Sequence, residues 1–111
     1  MDSLLNRAND FYGYVGELVR WVREKGKSFS GAESLLECGA GICEALREAE
    51  SASGAPAVDS YKEAARLADE ICRLLGSMVE AGLITEIQSR PIIFNYKDIR
   101  EQSQKLSGGG G

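Results

Sequence analysis

The chain has 111 residues, of which 43% are hydrophobic and 27% charged, a composition typical of one soluble globular domain. A domain of this size buries about two thirds of the surface that its unfolded chain exposes, which is enough for one core. No apolar run approaches the roughly 20 residues that a membrane span needs, and the N-terminus lacks the pattern of a signal peptide. We therefore expect a cytoplasmic protein that does not contact a membrane.

The net charge of −4 and the pI of about 4.9 bear on the kind of partner. Proteins that bind nucleic acid without sequence preference neutralise phosphates with lysine and arginine, and their domains usually have a pI well above 7. The charge balance therefore disfavours nucleic acid as a partner, although a local basic patch stays compatible with it.

Histidine is absent, and the three cysteines Cys38, Cys43 and Cys72 form no Cys-x-x-Cys pair. Without histidine the chain lacks the common zinc sites, the Glu-x-x-His pairs of di-metal bundles and the usual base of a nucleophilic enzyme. We predict a non-enzyme with no catalytic residue, cofactor or metal. The alternative is a reactive thiol at Cys38 or Cys43.

Apolar residues at helical spacing predict a first helix over about 3–24. Its main stripe is Leu4, Ala8, Phe11, Val15, Leu18 and Val22. A second stripe of Leu5, Tyr12 and Val19 indicates that this helix contacts more than one neighbour. Gly26 is a plausible stop.

The second helix is predicted to start near Ser30, with Glu33 completing a capping box, and to run to about Ala49. Glycines at 39 and 41 each cost about 1 kcal/mol relative to alanine inside a helix. We therefore predict a close contact with another helix backbone at residues 39–41.

The small, polar stretch 51–60 predicts a break, and a third helix follows over about 58–81 with Gly82 as its stop. Pro91 predicts either the first position of a fourth helix or a kink. The apolar stripe of that helix is Ile92, Tyr96, Ile99, Ser103 and Leu106.

Four amphipathic segments joined by short connections predict an all-α, up-down-up-down antiparallel four-helix bundle over residues 1–106. Residues 107–111 have the composition of a flexible linker, either native or added in cloning.

The stretch 35–49, LLECGAGICEALREA, resembles a helix of one bacterial family, the four-helix-bundle proteins also called 23S ribosomal RNA intervening-sequence proteins. The second helix of that family reads close to LLRSGTSIGANIREA. The direct matches are Leu35, Leu36, Gly39, Ile42, Arg47, Glu48 and Ala49, and Leu46 replaces an isoleucine. DFYGYVGELVRWVREK and YKEAARLADEICRLLGSMVEAGLI resemble the family's first and third helices. Glu37, Cys43 and Ala45 depart from the pattern, at positions where the family often has arginine, glycine and asparagine.

The resemblance implies the bundle fold and ring-like homo-oligomers, often pentamers, but no catalytic residues. A related branch comprises the accessory proteins of diversity-generating retroelements, which are basic pentamers that partner a reverse transcriptase and its RNA. Within the motif we assign Gly39, Ile42 and Leu46 to helix packing. We assign Arg47 and Glu48 to an ion pair or hydrogen bond that fixes packing or a subunit contact, with a phosphate-binding Arg47 as the alternative.

Two further groups on the first helix are candidates for a surface role. The candidate interface residues are Tyr12, Tyr14, Val19 and Trp21, because one bundle core cannot easily cover them all. The candidate basic patch is Arg20, Arg23, Lys25 and Lys27, which either compensates the helix C-terminus or contacts phosphate.

These observations favour a homo-oligomeric interaction or scaffold protein whose surface recruits another macromolecule, with a protein as the possible partner. The alternative is a nucleic-acid-linked accessory factor that binds a reverse transcriptase, RNA or both.

Overall fold

The computed structural model describes residues 3–27 and 29–108, and most of these are in four α-helices. Its helices are α1 (Leu4–Glu24), α2 (Ala32–Ser51), α3 (Ala55–Glu80) and α4 (Glu86–Leu106). The predicted all-α class is confirmed, and none of these four helices combines the length and the apolar character needed to cross a bilayer. Part of the predicted tail, residues 109–111, lies outside the described residues, so the domain boundary at 106 stays a prediction.

Each helix packs against its neighbours in the chain, and α4 returns to α1. Between the described residues, the diagonal pairs α1–α3 and α2–α4 make no close backbone approach. Since short connections join the helices, consecutive helices run antiparallel, and the predicted up-down-up-down bundle is confirmed. Of the four helix–helix seams, the one between α1 and α4 has the sparsest contact.

The inward stripes of the four helices form one core. Its largest fully buried apolar side chains are Val15, Leu35, Ile42, Leu46, Ile71, Leu75, Met78, Tyr96 and Ile99. Burying one such aliphatic side chain contributes about 1.5–3 kcal/mol, so this core is the main source of the bundle's stability.

Glycine ends both α1 and α3, as the sequence predicts. Gly26 has φ 74°, its N–H donates to the carbonyl of Arg23 at 3.0 Å, and the N–H of Lys27 donates to the carbonyl of Val22 at 3.2 Å. Gly82, also at φ 74°, makes the same pair of bonds at the end of α3. These left-handed caps satisfy the last carbonyls of each helix and turn the chain towards the next one.

The predicted capping box of Ser30 and Glu33 is wrong. Helix α2 begins at Ala32, and its N-cap position is held by Gly31, which has no side chain to accept a hydrogen bond. A Cβ atom at Gly31 would lie 2.6 Å from the ring of Phe29. The aromatic ring therefore takes the space that a larger residue at this position would need.

The predicted break at 51–60 is much shorter in the structure. Helix α3 begins at Ala55, three residues before Val58, and Pro56 lies in its first turn. Proline is well tolerated there because its missing N–H has no partner in the helix anyway. Only residues 52–54 separate α2 from α3.

Helix α4 starts earlier than predicted. The Thr85 hydroxyl accepts from the Gln88 N–H at 3.1 Å, and the Gln88 side-chain carbonyl accepts from the Thr85 N–H at 2.8 Å, which completes a capping box. Pro91 lies inside the helix rather than at its first position. The carbonyl that loses its helical partner belongs to Ile87, which is exposed to water.

Candidate protein-interaction surface

The seam between α1 and α4 opens into a groove of about 650 Å³ beside the C-terminal half of α1. Phe11, Leu18 and Ile92 line its inner part, while the rings of Tyr14 and Trp21 are exposed at its α1 side. A mostly apolar concave surface of this size is typical of a binding site.

The groove is open at one end of the seam and closed at the other. Arg7 of α1 and Asp98 of α4 form an ion pair that holds the far end of the two helices together. At the groove, Gln88 is bound to the backbone of Thr85 in the capping box, and Pro91 has a short, rigid ring. The residues of α4 at this level therefore leave the rings of α1 uncovered.

The ring of Tyr14 contacts Phe11, which in turn contacts the core. The rings of Phe11 and Tyr14 meet edge to face with centroids 5.1 Å apart, and Phe11 meets the buried Tyr96 at 6.3 Å. Tyr14 is nevertheless 52% exposed, and Trp21, seven residues further along α1, is 38% exposed. Tyr14 is thus held at its inner edge by Phe11, and both rings are accessible at the surface.

Two of the four candidate interface residues make contacts within the chain. Val19 is only 3% exposed because it lies in the α1–α2 seam, so its assignment to an exposed interface is wrong. The ring of Tyr12 packs over Gly39 of α2 with one part and stays 37% exposed with the rest. The second stripe of α1 is therefore its contact with α2.

Sequence reasoning missed two exposed apolar residues on α4. Ile87 is 78% exposed and Phe94 is 70% exposed, beside Pro91 and the groove. They lie seven residues apart, which places them on one face of the helix. The pattern of Thr85 followed three residues later by Gln88 would have revealed this face, because it starts the helix before Ile87.

The structure divides the candidate basic patch between two places. Arg20 lines the α1–α4 groove, where the ammonium of Lys25 lies 5.4 Å from the centre of the Trp21 ring. Arg23 and Lys27 line a smaller hollow of about 290 Å³ between α1 and the start of α2. Lys27 also donates a hydrogen bond to the carbonyl of Gly82 at 3.3 Å. The four cations therefore do not share one surface.

The two glycines of the α2 motif are close-contact positions, but they meet side chains rather than a backbone. A Cβ atom at Gly39 would lie 2.7 Å from Cδ1 of Tyr12, and one at Gly41 would lie 2.9 Å from Cδ1 of Leu67. Ala40, between them, is exposed. Helix α2 thus accepts a ring from α1 on one side and an aliphatic side chain from α3 on the other.

The remaining motif residues divide into buried and exposed pairs. Ile42 and Leu46 are fully buried in the core. Arg47 and Glu48 are exposed, and among the described residues neither side chain forms an ion pair or a hydrogen bond. The prediction of an ion pair or hydrogen bond within the chain at these residues is therefore wrong. A contact between subunits stays a prediction.

The three cysteines are free thiols, of which Cys38 and Cys43 are buried and Cys72 is partly buried. Burial raises the pKa of Cys38, Cys43 and Cys72 above the ordinary value of 9.0, which keeps the thiols protonated at neutral pH. Since the thiolate is the nucleophile, these surroundings oppose the activation that a catalytic cysteine needs. Over the described residues, no group of histidine, cysteine, aspartate or glutamate side chains is arranged to hold a metal ion.

A crystal structure of a protein with unknown function, from the S23 ribosomal protein family of Bacteroides thetaiotaomicron, has a similar fold with a TM-score of 0.88. The comparison covers 95% of this chain and 98% of that one, at 22% sequence identity. No family model and no curated protein matches the chain. The four-helix fold that the resemblance of residues 35–49 implies is thereby confirmed.

Proposed function

We propose that this chain is a non-enzymatic, cytoplasmic protein that self-associates and serves as a scaffold for another macromolecule. The observation that supports this function is the apolar surface around the α1–α4 groove, with Tyr14 and Trp21 on one side and Ile87 and Phe94 on the other. Single exposed apolar residues are ordinary on a monomer, but large ones clustered beside a groove are typical of an interaction site.

The distribution of exposed apolar residues favours contacts through α1 and α4. Over the described residues, every large hydrophobic side chain that is exposed belongs to α1 or α4, and none to α2 or α3. Aromatic side chains bury about 150–250 Å² each, so this cluster would supply a substantial part of the roughly 800 Å² per partner in a stable interface.

We further propose that the chain belongs to the family that residues 35–49 resemble and forms a ring of five subunits, as that resemblance implies. A ring requires head-to-tail contacts, in which two different surfaces of the chain meet. The exposed flanks of α1 and α4 differ in their residues and are suited to such a contact.

Native mass spectrometry of the purified protein tests self-association directly. We expect a mass near five times 12.0 kDa, the mass of one chain. The double variant Trp21→Ala, Phe94→Ala should dissociate at concentrations where the wild type stays assembled, because both anchors are lost.

Leu106→Ala is the matched control for these substitutions. Leu106 is 52% exposed at the far end of α4, away from the groove, so its removal should leave the subunit number unchanged. A monomeric wild type would contradict the proposed function. Co-purified RNA, with binding that falls steeply as salt rises, would favour the accessory-factor alternative instead.

A further inference from the structure

The exposed surfaces of α1 and α4 each carry a line of charge, and the line on α1 lies beside the groove. On α1, Asp10, Glu17 and Glu24 recur at seven-residue intervals and are all exposed; they are called here the acidic edge. On α4, Arg90 and Lys97 are also seven residues apart and exposed; they are called the basic edge. Residues at this interval share one face of a helix, so each edge is continuous along its helix.

Neither edge is neutralised within the chain. Over the described residues none of its five side chains forms an ion pair, although the neighbouring Arg100 of α4 bonds to Asp69 of α3 at 2.8 Å. Arg20 lies beside the acidic edge and Glu101 beside the basic edge, but each leaves the sign of its edge unchanged. Across the outer face of α1 and α4, the acidic edge lies beside the groove, and the basic edge lies on the opposite side of α4, towards α3. The exposed apolar residues lie between the two edges.

We propose that the acidic edge of one copy lies against the basic edge of the next copy, with the apolar residues of both flanks buried between them. This inference rests on the proposed self-association and names the surfaces that form it. Opposite charges across an interface fix its register, and like charges placed together cost several kcal/mol.

The same pairing restricts the symmetry of the assembly. A rotation axis parallel to the helices brings α1 of one copy beside α4 of another, so acid meets base. A twofold axis across the helices would place acid on acid and base on base. The proposed contact therefore requires copies that stand side by side with their helices parallel to the symmetry axis.

Charge alone would also allow the basic edge to meet α2, where Glu37 and Glu44 form a second exposed acidic pair seven residues apart. The described part of α2, however, exposes no large hydrophobic side chain, whereas α1 exposes Tyr14 and Trp21 beside its acidic residues. Of these two surfaces, the α1 flank combines complementary charge with exposed apolar area. We therefore choose it as the surface that meets the basic edge.

Charge reversal tests the pairing. The variants Glu17→Lys, Glu24→Lys and Arg90→Glu, Lys97→Glu should each weaken association by about tenfold or more, because each places like charges across the contact. A quadruple variant that carries both reversals should regain the wild-type subunit number. Subunit number is measured by native mass spectrometry and light scattering, and the fold of each variant by circular dichroism.

The α2 variant Glu37→Lys, Glu44→Lys makes the same change in charge on a surface outside the contact and should assemble like the wild type. If the wild type assembles but the reversals on α1 and α4 have no effect, or the quadruple variant is not restored, the pairing is wrong and self-association stands. An equal loss of assembly in the α2 variant would also overturn the pairing. A monomeric wild type would overturn both proposals.

Discussion

Gly39 has a low helix propensity, but its lack of a side chain allows a close contact with the ring of Tyr12. Alanine at this position would gain about 1 kcal/mol of helix propensity. Its Cβ atom would stand 2.7 Å from the ring, and overpacking of this kind costs about 1–3 kcal/mol. We expect Gly39→Ala to lower the free energy of unfolding, measured by urea denaturation at one protein concentration.

The Tyr12→Ala background separates these two effects. With the ring removed, Gly39→Ala should raise the free energy of unfolding by about 0.5–1 kcal/mol, since only the propensity gain is left. Gly76→Ala in α3 is the matched control, because a Cβ atom there would meet no atom within 4 Å. It should stabilise both backgrounds equally. The same gain for Gly39→Ala in both backgrounds would contradict the close contact.

At the scale of the helix, the interior Pro91 destabilises α4. Pro91 lies inside the helix, where it donates no hydrogen bond and crowds the carbonyl of Ile87. We expect Pro91→Ala to raise the free energy of unfolding by about 1–3 kcal/mol. Pro56→Ala is the matched control and should change stability by less than about 1 kcal/mol, because Pro56 lies in the first turn of α3. Equal effects of the two substitutions would show that Pro91 does not destabilise α4.

The elements that the sequence predicts best are those with a strong local signal. The main stripe of α1 and the glycine stops at 26 and 82 depend on neighbours within a few residues, and they are found as expected. Pro91 predicts a later start for α4 because proline is unfavourable inside a helix. The capping box of Thr85 and Gln88 instead starts the helix before Ile87, which places Ile87 and Phe94 on one exposed face.

The candidate surface could be predicted only in part because it depends on the angle between helices. Val19 and Trp21 both flank the main stripe of α1, one towards α2 and the other towards α4. The α1–α2 seam is closely packed and buries Val19, whereas the open α1–α4 seam leaves Trp21 exposed. Periodicity gives the direction of each side chain around its own helix, but not how closely the next helix approaches.

At the scale of the whole molecule, the bundle keeps four weakly acidic groups away from water. Burial raises the pKa of the thiols of Cys38, Cys43 and Cys72, and it raises the pKa of the Tyr96 phenol far above its ordinary value of 10.0. In the unfolded chain these groups lose their protons at their ordinary pKa values, while in the folded chain they keep them to higher pH. Above about pH 9 the unfolded state therefore binds fewer protons than the folded state.

These four groups therefore leave the free energy of unfolding unchanged below pH 9 and lower it as the pH rises above 9. Each unit of pKa difference contributes about 1.4 kcal/mol to that fall once the pH passes the folded value. Thermal unfolding at intervals from pH 7 to 10.5 should give a melting temperature that declines above pH 9. A melting temperature that is unchanged or rises over pH 9–10.5 would contradict the assignment.

Tyr96→Phe identifies the part of this decline that belongs to the phenol. The Tyr96 hydroxyl is fully buried and has no hydrogen-bond partner among the described residues, so its removal should cost little stability at pH 7. Above pH 10 the variant should lose stability less steeply than the wild type, because its unfolded state no longer releases that proton. If the variant follows the wild type above pH 10, burial of Tyr96 does not contribute to the alkaline transition.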